Sequence, residues 1–191
     1  MYRLQQAFSV ISEYRLIEST GSGYRINDSL SVMTDVQLFV NKCHMALSTT
    51  STEKKKNWLE KALALYQGEL FASASSEHWL MAKVETYRHY FLGMFNELMR
   101  IYDAEHNYEK VHTSAAKTLL LVSDNPDIYF WLIRSDIMRH HFDVARSELR
   151  MAEAKLLEED YKDLQERLTQ NQQQSTGCLA AMMAVAAGNE F

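Results

Sequence analysis

The chain of 191 residues contains one proline and six glycines. A sandwich or barrel of short strands needs a turn about every ten residues, built largely from those two residue types. Their scarcity excludes an all-β fold, and collagen-like, Pro-rich linker and Gly-rich phosphate-loop readings with it. Two cysteines, Cys43 and Cys178, stand far apart with no C-x-x-C spacing. Neither a disulfide framework nor a cysteine metal site is expected, and a reducing cytoplasm is the expected compartment. Basic charge is short as well: 20 Lys and Arg face 25 Asp and Glu, a net charge of −5. Without a basic block, the chain does not read as a free-standing nucleic-acid binder, whose affinity rests on neutralising phosphates. Met1 to Gln6 lacks the layout of a signal peptide. Cys178 to Gly188, the longest uncharged apolar stretch, is about half of the roughly 20 residues a membrane span needs. What is abundant is hydrophobic residues, 47%, alongside 24% charged. This is the composition of a globular, mostly helical protein.

Three zones follow one another. In residues 1–30 a short helical piece precedes a segment where Tyr14, Leu16, Tyr24 and Ile26 alternate around Gly21-Ser22-Gly23, the pattern of a β-hairpin. Residues 34–172 read as successive helices. Thr34 or Asp35 opens the first, with Val36, Phe39, Val40, Cys43 and Leu47 on one face. Thr52 is placed to cap the second, which carries Trp58, Leu59, Ala62, Leu63 and Tyr66, with Gly68 as its stop. Ser76 caps a long helix over about 77–104. Its stripe of Leu80, Val84, Tyr87, Phe91, Met94, Leu98 and Ile101, joined by Phe95 and Tyr102, predicts a helix gripped on two sides. Gly93 lies within it, where it suits a close helix contact. Beyond residue 172 come a polar linker and an Ala/Met-rich tail.

An internal repeat is the most informative pattern. Shifted by 34 residues, His106-Asn107-Tyr108-Glu109 falls on His140-His141-Phe142-Asp143. Phe95, Leu98 and Met99 fall on Tyr129, Leu132 and Ile133, Arg100 on Arg134, and Val111 on Ala145. Pro126 suits the first turn of a helix, where a missing N–H costs nothing. A helix–turn–helix period of this length is that of tetratricopeptide repeats. Tyr161, Leu164 and Leu168 would close the stack. The fold class expected is all-α: a helical-hairpin solenoid of about seven helices behind a short helix and hairpin.

These stretches resemble the bacterial transcriptional activator domain family. This is the tetratricopeptide-like module that follows the winged-helix domain in activators of the antibiotic-regulatory type. "TDVQLFV" is similar to its Asp-x-x-x-Phe entry, "LEKALALYQGELF" to its Ala-Leu-x-Leu-Tyr-x-Gly run, and "SEHWLMAKVETYR" to the Trp-bearing helix that follows. "SDNPD" and "RHHFDVARSEL" resemble the later turn and repeat, and "GSGYRI" the closing wing of a winged helix. The resemblance implies a division into 1–30, the end of a recognition helix plus wing; 34–172, the activator domain; and 173–191, a linker and truncated tail. It implies a regulatory role in transcription through DNA binding or assembly of a longer regulator, and DNA contact only through a complete winged helix. Within residues 1–30 Arg3, Gln5, Gln6, Tyr24 and Arg25 are the implied DNA contacts, and the three arginines there are balanced by Glu13, Glu18 and Asp28.

Catalysis is not expected. Ser73, Ser75 and Ser76 beside Glu77 and His78 are explained by helix capping, since a nucleophile and its base need a shaped cleft. No metal or other cofactor is expected either: no H-E-x-x-H occurs, His140 and His141 point to different faces, and Glu85 with His89 is an ordinary helix pair. The candidate partner groove is the inner face of the repeats. There Asn96 and Arg100 match Phe130 and Arg134, so the two arginines could hold a carboxylate or phosphate of a peptide or ligand. Local pairing with Glu97, Asp103 or Asp136 is the alternative for those arginines. A protein partner or self-association is expected and a membrane is not. The alternative function is a free-standing repeat scaffold for a protein or peptide, with no role in transcription.

Overall fold

The computed structural model describes residues 15–68 and 78–173 together with Gln6. Tyr14, the proposed cap Ser76 and the tail from residue 174 lie outside the described residues. The chain divides into two compact units, Met1–Leu38 and Phe39–Phe191.

In the first unit, strands β1 (Ile17–Thr20) and β2 (Gly23–Ile26) pair antiparallel with Glu18 opposite Arg25 and Ser19 opposite Tyr24. Gly21-Ser22 is the two-residue turn that such a register requires. Asn27 closes the open end, donating from Nδ2 to the Arg15 carbonyl at 2.9 Å and accepting from the Ser29 amide at 2.9 Å.

Seven helices follow among the described residues: α1 (Asp35–Ser48), α2 (Thr52–Leu65), α3 (His78–Ala104), α4 (Tyr108–Leu119), α5 (Pro126–Met138), α6 (Phe142–Lys155) and α7 (Glu158–Gln173). Thr34 begins α1 with a capping box. Its Oγ1 accepts from the Gln37 amide at 3.2 Å, while its own N–H donates to Gln37 Oε1 at 3.0 Å. Pro126 sits at the first position of α5, behind Asn125, whose side chain accepts from the Asp127 amide. None of these helices is long and apolar enough to cross a membrane.

Four local expectations are corrected. Ser51, not Thr52, precedes α2 and supplies only its carbonyl, to Lys55 N–H. The second helix ends at Leu65 with Tyr66 as its cap, so Gly68, at φ +124°, turns the chain after the stop. On α1 the buried face is Phe39, Cys43 and Ala46, whereas Leu47 is exposed, because the helical phase rotates it outward. Gly93 is exposed, and a Cβ there would meet nothing, so it permits no close contact.

The core of the second unit runs through Phe91, Phe95, Leu98 and Met99 of α3 to Ile128, Tyr129, Leu132 and Ile133 of α5. The long helix α3 packs on α2 and α4, and α5 packs on α4, α6 and α7, which is the neighbour pattern of a hairpin stack. The small residues Ala115, Ala145 and Ala152 are buried at helix seams.

The repeat reappears in the backbone. His106 (φ 54°) and His140 (φ 61°) are the non-glycine residues of positive φ among the described residues, 34 positions apart. Each ends its helix with the same pair of bonds. His106 and Asn107 donate to Asp103 and Tyr102, and His140 and His141 donate to Ile137 and Asp136. This is the Schellman arrangement, which glycine normally fills. A side chain in that conformation costs roughly 1–2 kcal/mol. His140→Gly is therefore expected to raise stability by about 0.5–1 kcal/mol, seen as a higher Tm by circular dichroism. His140→Ala, which keeps the Cβ, is expected to give no gain.

Candidate functional site

Of the residues expected to line a partner groove, all but Arg100 lie in a polar ladder joining α3, α5 and α7. Asn96 Nδ2 donates to Asp127 Oδ2 at 2.6 Å and its Oδ1 accepts from Trp131 Nε1 at 2.9 Å. Asp127 also accepts from Arg167 at 2.7 Å through its other oxygen, and the Arg167 guanidinium lies 4.7 Å from the centre of the Phe130 ring. Phe130 is buried beneath it. Arg134 forms a two-pronged pair with Asp103, at 2.9 and 3.0 Å, with both side chains largely buried. Arg100 differs: its side chain is 70% exposed and pairs with Glu97, at 3.4 Å. Asn96, Phe130 and Arg134 are thus engaged inside the stack, and Arg100 faces solvent.

Of the implied DNA contacts, Arg3 and Gln5 lie outside the described residues and Gln6 is exposed. Tyr24 is 63% exposed on β2. Beside it, Arg25 is held between Glu18 and Asp28, each at 3.0 Å, so its charge is balanced within the hairpin.

A groove of about 310 Å³ opens where α2, α3 and α4 meet. Tyr66 and Phe91 stack in its floor with ring centres 4.0 Å apart. Glu60, Lys117 and Leu121 line it as well. Tyr102 in its wall donates to Glu60 Oε1 at 2.5 Å, and burial followed by that carboxylate holds the phenol well above the usual range. Aromatic and aliphatic side chains thus share the recess with Gln67, Ser114 and Thr118, with one acid and one base among its lining residues.

Deeper in the second unit, α4, α5 and α6 bring His112, Asp136 and Glu148 together. His112 Nε2 lies 3.4 Å from Asp136 Oδ2 and 3.7 Å from Glu148 Oε1. Asp136 is 1% exposed. Burial, then the neighbouring Asp136 charge, push the Glu148 carboxyl up to about 8. Sequence reading missed this cluster because its members come from three helices. The signal was there, since Asp136 falls one period after the core residue Tyr102. The Cys43 thiol, buried in α1, is pushed up to about 11 and is poorly suited to act as a nucleophile.

Neither the curated proteins nor the solved structures provide a match to this chain. Residues 34–127 match the family model described as the bacterial transcriptional activator domain. That segment opens at the capping box of α1 and closes in the first turn of α5, taking in the groove and the first of the two Schellman turns. This part of the chain belongs to the bacterial transcriptional activator domain family, a module of transcription regulators.

Proposed function

We propose that the chain is the regulatory, protein-interaction part of a bacterial activator of the antibiotic-regulatory type, and works in the cytoplasm. It sets the DNA-binding competence of the longer regulator by self-association or by taking a protein partner. The observation that carries this reading is the aromatic groove between α2, α3 and α4, which lies within the segment that matches the family. In this reading residues 1–30 are the end of a winged helix, with the hairpin as its wing and Tyr24 as the side chain most open to DNA. Residues 34–172 form the activator module, and residues 173–191 lead out of it. On the inner face Arg100 is the residue disposed to meet a partner carboxylate, because the guanidinium of Arg134 is spent on Asp103.

The test is a bacterial reporter repressed by a DNA-binding domain that acts only when its fused partner self-associates. The chain is expected to restore repression. Lys117→Glu combined with Leu121→Glu, both at the groove lip, is expected to weaken it by about tenfold or more, a typical cost for losing a central contact. Full repression by the double variant removes the groove from the reading. Failure of the parent chain to repress removes self-association and leaves a heterologous partner.

A further inference from the structure

Two carboxylates meet inside the stack with too few partners. Asp136 Oδ2 and Glu148 Oε2 are buried and accept no hydrogen bond. Leaving an acceptor buried and unmet is costly, and more so when it carries charge. A positive species between them removes that cost.

The geometry favours a metal ion over a direct ion pair. The separations from His112 Nε2, 3.4 and 3.7 Å, are beyond the usual range of a good N–H···O bond. The edge of a tetrahedron with ligands at 2.0–2.2 Å is about 3.3–3.6 Å; the first separation falls on it and the second lies just beyond it. One donor atom from each of the three residues lies within 4.8 Å of the others. The remaining Asp136 oxygen, Oδ1, is faced by His141 Nδ1 at 3.5 Å and Arg139 at 3.7 Å. These groups lie on the Oδ1 side of the carboxylate, and Oδ2 is the oxygen nearest His112 Nε2. The His112 side chain is 29% exposed, which gives an ion a way in from solvent.

We propose that His112, Asp136 and Glu148 form a binding site for a divalent transition-metal cation of the zinc type, clamping α4, α5 and α6 to one another. An imidazole with two carboxylates suits zinc and its first-row neighbours, whereas calcium and magnesium take oxygen ligands, in larger number for calcium. Three protein ligands leave a position for water on the side of His112. This site stands apart from the groove, and neither depends on the other.

The experiment is titration of the intact, chelator-stripped chain with zinc chloride near neutral pH, followed by calorimetry and thermal unfolding. One equivalent is expected to bind and to raise Tm by several degrees, because an ion held only by the folded state stabilises it. His112→Ala is expected to lose this binding by about a hundredfold or more, the loss of one ligand in three. Glu148→Gln is the control for folding: its amide can donate to Asp136 Oδ2, so the metal-free variant stays folded while the zinc-dependent rise in Tm disappears. Cobalt(II) added in place of zinc is expected to give a visible band that both variants lack. The proposal is overturned if the parent takes up no zinc, which would leave a shared proton as the positive species. It is equally overturned if the two variants bind zinc as the parent does, which would place the ion on surface histidines.

Discussion

Replacing Phe95 by alanine is expected to lower the unfolding free energy of the helical unit by about 3–5 kcal/mol. Phe95 is fully buried in the middle of α3, the helix whose two apolar stripes meet α2 on one side and the α4–α5 layer on the other. Its repeat counterpart, Tyr129, is equally buried one period later, so the two rings mark the same level of successive hairpins. Removing the ring loses its transfer free energy and leaves a void that helices held from both sides cannot close. Domains of this kind are stable by about 5–15 kcal/mol, so the loss is a large share of the total. Urea denaturation followed by circular dichroism is the measurement. A shift of the midpoint with an unchanged slope is the expected form. Leu120→Ala, at a residue 87% exposed, is the control and should stay within about 0.5 kcal/mol of the parent. Equal effects from the two would mean that α3 is not the centre of the fold.

Glu148→Gln is expected to change how stability depends on pH. In the folded, metal-free chain the Glu148 carboxyl titrates at about 8, against an ordinary value of 4.5. Between those values the folded chain holds a proton that the unfolded chain has released. Stability from this group is therefore fully present below about pH 4.5 and falls as pH rises, until it is lost above about pH 8. The cause is burial first and the charge of Asp136 second. The charged and titratable groups facing the pair are His112 on α4 and, on the turn after α5, Arg139 and His141. The readout is the difference between parent and variant with chelator present, which cancels what every other group contributes equally to both. That difference is expected to grow by a few kcal/mol in the variant's favour from about pH 5 to about pH 8.5. Parallel profiles would show that Glu148 carries its charge in the fold without cost.

How much of this could be read from the sequence depends on the range of the physics involved. The hairpin turn at Gly21-Ser22, the α1 start at Thr34 and Asp35, and Pro126 opening α5 are set by residues within a few positions, and each was legible. The 34-residue period was legible too, and the paired backbone turns at His106 and His140 are its direct expression. The exchange of Leu47 for Ala46 on α1 was not, because a helix face is decided to within one residue by what it packs on. The groove needs three helices before it exists. So does the buried cluster, whose residues lie 24 and 12 positions apart and form no motif. For the inner face, the residue types alone did not tell that Asn96 would serve Asp127 and Trp131, or that Arg134 would close on Asp103.

Stacked hairpins touch only their neighbours, and an array of that kind tends to melt piecemeal from its ends. Asp127 works against this. One carboxylate receives Asn96 from the preceding hairpin and Arg167 from the closing helix while standing on α5 itself. Opening α7 strips a partner from a charge that α3 also uses, so a disturbance at the far end is felt two hairpins away. One carboxylate on α5 thereby ties α3 to α7, the last helix of this stack.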